Sequence, residues 1–242
     1  YLNMRLLNLP VRNINNNEVK NYNNILNNEV NTDKLEKLTM YLNTKNSSDK
    51  NINITTNDAE FYNESKKIES IYKNPLLLIK LKPTEEIQYS MDINLGIGSM
   101  HAKYSPVSIC AFEELTPTKF NFTIEANKQL NEYKILMNSC KIIKIKLNNI
   151  LAKLKMMDID NDSNEGYIEL KNENHTIANL ITYYLQSSKH ISFAGYKMNH
   201  TLINDSTIKY KINGTKNIID ILSSIINEII AIYSFIENKF NK

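Results

Sequence analysis

YIELKNENHTIANLITYYLQSSKHISFAGYKMNH, from Tyr167 to His200, changes its hydrophobic period twice within 34 residues. Tyr167 to Leu170 reads as a strand. From Thr176 to Leu185 the apolar residues Ile177, Leu180, Ile181 and Tyr184 recur at intervals of three and four, which places them on one face of a helix. Ile191 to Tyr196 returns to a strand pattern. Beyond it, Thr207 to Ile212 predicts another strand. Ile218 to Phe240 predicts a long helix carrying Ile218, Ile221, Leu222, Ile225, Ile229, Ile232, Tyr233 and Ile236. The order strand, helix, strand, strand, helix describes an α+β unit of about 75 residues, small enough that pairing would help it fold.

Working back toward the amino terminus, Asp158 to Glu165 is acidic and turn-prone and reads as a linker. A helix is expected before it, from Asn127 to Met157. Its stripe is Leu130, Tyr133, Leu136, Met137, Cys140, Ile143, Leu147, Ile150, Leu151 and Leu154. Strands are expected at Asn51–Thr55, Leu76–Leu81, Gln88–Leu95 and Val107–Phe112, with Phe120, Phe122 and Ile124 alternating in a further one. Asp33 to Leu42 carries a modest helical signal. Tyr1 to Leu9 reads as a short helix stopped by Pro10. The chain opens without Met inside that helix, so upstream residues are expected.

The 242 residues are 42% hydrophobic, ample for a core, and a net charge of +3 spread along the chain gives no basic face for strong direct nucleic-acid binding. Cys110 and Cys140 lie in apolar contexts and are expected to be buried thiols, too far apart for a zinc site. No membrane span is expected, because Ile218–Phe240 is interrupted by Asp220, Ser223, Asn227 and Glu228.

Catalytic patterns are weak. None of His101, His175, His190 and His200 pairs at helical spacing. Asp158, Asp160, Asp162 and Glu169 fit a calcium loop at positions 1, 3, 5 and 12, but Ser163 replaces the glycine at position 6 and Glu169 falls in a predicted strand. Gly96-Ile97-Gly98 is a lone Gly-x-Gly that does not lead into a helix, so it is no dinucleotide fingerprint. There is no phosphate-binding loop of the Gly-Lys-Ser/Thr kind and no nucleophile elbow. No catalytic residue, metal ligand or cofactor is assigned.

Two stretches carry a resemblance. Gly96-Ile97-Gly98-Ser99-Met100-His101-Ala102-Lys103-Tyr104-Ser105-Pro106-Val107 is similar to a segment of the larger α-like subunit of archaeal and eukaryotic RNA polymerases, called D in archaea. Tyr1 to Val11 and Leu76 to Ile87 also resemble parts of that subunit. Asn174-His175-Thr176-Ile177-Ala178-Asn179-Leu180, followed by Ile191 to His200 with Phe193, Gly195 and Tyr196, is similar to the small α-like subunit, called L. The first strand and first helix of the D-like half are absent, as is the Cys-rich metal loop of many D-like subunits.

The resemblance implies an α+β fold in which two α-subunit-type dimerisation modules, each a sheet with long helices on one face, pair in one chain. The D-like module would comprise 1–12 and 116–157, a β-rich inserted domain 13–115, the linker 158–165 and the L-like module 166–242. It implies a non-catalytic assembly scaffold for the polymerase. The partners would be the second-largest and largest subunits and small zinc-binding subunits. A large nucleocytoplasmic DNA virus is the implied source, with the protein in the virion and host cytoplasm; otherwise it would be nuclear. An unrelated α+β protein-interaction module is the alternative.

The motif residues receive physical expectations of their own. Gly96 and Gly98 would supply unusual backbone angles, and Pro106 would fix the chain before the next strand. His101 would either touch a neighbouring subunit or bond within its own fold. Thr176 would cap the helix that follows His175. Asn179 would bring a polar group near the apolar face at an interface, with Leu180 on that face, and Gly195 beside Tyr196 suggests close approach or a bulge. Ile225, Ile229 and Ile232 would share the buried dimerisation face, with Glu237 exposed.

Overall fold

The computed structural model describes residues 2–11, 38–63, 65–92, 96–127, 129–154 and 164–240. Two compact units divide the chain, 1–135 and 136–242. The fold is α+β, as the sequence predicts.

The first unit opens with helix α1, Leu2–Leu7, which buries Leu6 and whose Arg5 guanidinium donates to the Leu77 carbonyl at 3.0 Å. Among the described residues eight strands follow: β1 Leu38–Lys45, β2 Ile52–Thr55, β3 Ala59–Asn63, β4 Lys66–Ile68, β5 Leu77–Leu81, β6 Glu86–Asp92, β7 Val107–Thr116 and β8 Lys119–Ala126. An antiparallel sheet in the order β4-β3-β1-β6 and the pair β2-β5 enclose Met40, Leu42, Ile54, Phe61, Leu78, Leu81 and Ile87. The helical signal ending at Leu42 is corrected here. Leu38, Met40 and Leu42 alternate with polar-facing neighbours and are all buried in β1, a period of two that only a strand satisfies. Positions 33–37, and 93–95 of the expected Gln88–Leu95 strand, lie outside the described residues.

β7 and β8 form a separate two-stranded hairpin, longer than the Val107–Phe112 strand expected. Its pairing puts Cys110, Phe112 and Glu114 opposite Ile124, Phe122 and Phe120 on one face. Phe112 and Phe122 meet at 6.0 Å, both largely exposed. Cys110 is therefore exposed, contrary to expectation, while Cys140 is buried. The apolar flanks of Cys110 line a face that this unit leaves open.

Helix α2, Glu132–Leu154, starts five residues later than the Asn127 expected. The Asn131 side chain accepts from Tyr133 N–H at 2.9 Å and sets the start there, leaving Leu130 outside. From Leu136 on, α2 belongs to the second unit. There it is joined by β9 Glu165–Leu170, α3 His175–Gln186, β10 Ile191–His200, β11 Ile203–Ile212 and α4 Ile218–Phe240, the predicted order of elements. The sheet order is β10-β11-β9, antiparallel throughout. One core gathers Leu147, Ile150 and Leu154 of α2 with Ile168, Leu170, Ile177, Ile181, Leu185, Ile208, Tyr210 and the inner face of α4. Burying three such side chains from α2 contributes on the order of several kcal/mol before entropy is counted.

Glu169 lies in β9, as the strand reading required, whereas Asp158, Asp160 and Asp162 are outside the described residues. By length and hydropathy α4 does reach what a membrane crossing needs, which the four interrupting polar residues were expected to prevent. Ile218, Ile221, Leu222, Ile225, Ile226 and Ile229 are instead buried against protein.

Candidate assembly interface

Gly96 to Val107 closes on itself. The Ile97 carbonyl accepts from Met100 N–H at 2.9 Å, turning the chain back. His101 Nδ1 then accepts from Lys103 N–H at 3.1 Å and caps a single 3₁₀ turn, Ala102–Tyr104. Of the two expectations for His101, the structure therefore shows a bond within its own fold. The Tyr104 ring lies flat against Gly96: a Cβ there would fall 2.4 Å from two ring atoms. Close approach, and not an unusual backbone angle, is why position 96 is glycine; neither Gly96 nor Gly98 has positive φ. At Gly98 a Cβ would make only ordinary contact, 3.9 Å from Ser105 Cα, so the structure gives it no steric reason. Lys103 Nζ stands 4.9 Å above the Tyr104 ring. Ser105 Oγ donates to the Val107 carbonyl at 2.8 Å and Asn127 ties down Ser105 and Pro106, so Pro106 leads directly into β7.

The second motif is assembled from two elements. Asn174, not Thr176, caps α3: its side-chain oxygen accepts from Thr176 N–H at 3.1 Å. Asn is at least as good a cap as Thr, and here it lies one residue before the first helical position, His175. His175 Nδ1 sits 3.2 Å from the Tyr196 hydroxyl on β10, their rings edge to face. Thr176 and Asn179 are exposed on α3. Asn179 is therefore not the buried polar group expected, because it falls on the face of α3 opposite Ile177, Ile181 and Leu185. Leu180 is half-buried against the core. Gly195 keeps the regular register, with the irregularities lying on either side of it, and meets the Phe193 ring where a Cβ would be 3.3 Å away. Phe193 is about half exposed.

On α4, Ile225 and Ile229 are buried in the module's own core, whereas Ile232 is 37% exposed and does not share their environment. The Glu237 side chain is also corrected: it is only 16% exposed and bonds Lys144 at 2.5 Å, with Lys141 at 3.9 Å. Lys144 Nζ lies 3.2 Å from Ser234 Oγ as well. On the other flank of α2, Lys146 bonds Glu173 at 2.8 Å, both side chains nearly covered. Lys144, Lys146 and Glu173 belong to neither motif. The available signal was charge: α2 has five lysines and only Glu132 as an acid, while α4 has Asp220, Glu228 and Glu237 with Lys239 as its one base. Burial raises the Cys140 thiol pKa, with Glu237 reinforcing it, and burial likewise raises that of Tyr233. Among the described residues no three potential metal ligands cluster.

Residues 165–239 match the RNA polymerase Rpb3/Rpb11 dimerisation domain. A protein named as DNA-directed RNA polymerase subunit R470, of Acanthamoeba polyphaga mimivirus, is 34% identical over 207 residues, covering 84% of this chain and 58% of that protein. DNA-directed RNA polymerase subunit Rpo3 of Methanocaldococcus jannaschii is 29% identical over 90 residues, or 37% of this chain and 46% of the archaeal subunit. The chain thus spans about half the length of the relatives it matches. Residues 165–239 are thus similar to the RNA polymerase Rpb3/Rpb11 dimerisation domain, and the chain as a whole is similar to proteins named as DNA-directed RNA polymerase subunits.

Proposed function

We propose that the chain is a non-catalytic assembly scaffold of a multisubunit DNA-directed RNA polymerase, with two α-type dimerisation modules paired in one polypeptide. The observation that carries this is where α2 goes. The matched domain begins at residue 165, yet its core also takes Leu147, Ile150 and Leu154 from a helix that precedes it. A helix from one module covering the other is what pairing between two such modules requires. In this reading 1–12 and 116–157 form the D-like module, 13–115 its β-rich insertion, 158–165 the linker and 166–242 the L-like module. A linker of eight residues spans at most roughly 28 Å, which holds the modules at an effective concentration on the order of millimolar.

The scaffold would present its surface to the second-largest subunit, the largest subunit and small zinc-binding subunits, and would contribute no catalytic group, cofactor or strong nucleic-acid contact. The mimivirus relative supports a viral source, and with it the virion and the host cytoplasm as the setting. Affinity purification of the tagged chain from infected cells, read by mass spectrometry, tests the role. Recovery of both large polymerase subunits is expected. Recovery of an unrelated set of proteins would favour a free-standing interaction module.

A further inference from the structure

Apolar burial alone does not tell α2 which partner to choose. Its stripe and that of α4 are both built of Ile and Leu, so α2 could cover a second α2, or one second module another, with similar loss of apolar surface. Charge does distinguish them. Lys146 lies on one flank of the α2 stripe and Lys144 on the other, as charged positions flank a coiled-coil seam. Their partners are Glu173, before α3, and Glu237, on α4. The four side chains are only 12–22% exposed, so salt and water screen them little.

We propose that these two ion pairs are the specificity determinants of module pairing: they select the second module as the partner of α2 and exclude like-with-like pairing between copies. A second α2 would offer Lys144 and Lys146 five lysines and a single acid, Glu132, and α4 of a second copy would offer Glu237 three acids and a single base, Lys239. Like charges held together out of water are strongly disfavoured, which makes the arrangement selective and not merely adhesive. The inference rests on the reading of α2 as the helix of the first dimerisation module.

The test uses three full-length chains: one with Lys144→Glu and Lys146→Glu, one with Glu173→Lys and Glu237→Lys, and one with all four changes. Each two-site chain alone is expected to lose the compact monomer, seen as self-association or as a broad, early melt. Refolded together in equal amounts, the two are expected to give a species of twice the chain mass on light scattering, with a cooperative melt. The four-site chain should return to a compact monomer. The proposal is overturned if each two-site chain remains a monomer that melts like the parent, if the mixture gives no two-chain species, or if the four-site chain fails to fold. Co-purification of the parent chain with polymerase subunits is measured separately. Its failure would remove the proposed function, whereas failed exchange with intact co-purification would remove only the charge selection.

Discussion

The β7–β8 hairpin and the β9–β11 sheet begin from the same kind of sequence and end in opposite environments. Both are antiparallel, with long strands and apolar residues at alternate positions. In the sheet, Ile208, Tyr210 and Ile212 are buried beneath α3, α4 and α2. In the hairpin, Phe112, Phe120 and Phe122 remain exposed. Alternation tells which residues share a face; it does not tell what covers that face. The helix that follows β8 in sequence gives most of its stripe to the second unit's core, so sequence neighbours and packing neighbours part company at α2.

The contrast can be broken by substitution, and the largest effect belongs to Ile229→Asp. Ile229 is wholly buried, and an unpaired carboxylate there costs several kcal/mol, comparable with the stability of a small domain. Loss of the cooperative melt is expected in circular dichroism; a melt like the parent's would mean α4 is not part of the core. Next comes Leu147→Ala, on a fully buried position of α2, which should cost about 2–5 kcal/mol in denaturant unfolding of the second unit. A cost below about 1 kcal/mol would mean that α2 is not integral to that core. Glu237→Lys follows, at about 1–2 kcal/mol, because it sets a cation beside Lys144 at a partly covered site. The smallest effect is that of Phe112→Ser, expected within about ±0.5 kcal/mol for the isolated chain, since the ring is largely exposed.

The thiols report the same contrast. Cys110 should react with a thiol reagent in the native protein, while Cys140 should react only as the second unit opens. The raised pKa of Cys140 also has a sign. Its stabilising effect is complete below the ordinary thiol value of about 8.5 and is lost as pH rises through the folded value, so alkali should weaken the second unit. Equal reactivity of the two cysteines at neutral pH would contradict the burial difference.

Much of the second unit was legible, because each of its elements has a clean period and the apolar residues of α3 and α4 fall on the faces they bury. Three kinds of error have physical causes. Local chemistry misled where two residues could do one job: Asn174 and Thr176 are both capping types, and only the backbone decides between them. Residues such as Glu237 and Asn179 were placed by type and spacing, but the exposure of a polar side chain depends on which other element lies over it, and Lys144 is 93 positions from Glu237 in the chain. Gly96 was understood as a backbone need, whereas the cause is the Tyr104 ring eight residues on, a contact that no local pattern encodes. The His175–Tyr196 contact joins the two parts of one motif across α3 and β10, a contact between elements that the spacing of the motif does not encode.

Pairing within the chain is tested most directly by cutting it. A protease site placed between Asp160 and Asn164 would separate α2 and everything before it from β9 and everything after it. If Leu147, Ile150 and Leu154 are part of the second unit's core, the two fragments should elute together from a sizing column after complete cleavage and still melt as one. Two well-folded fragments eluting separately at their own masses would contradict it.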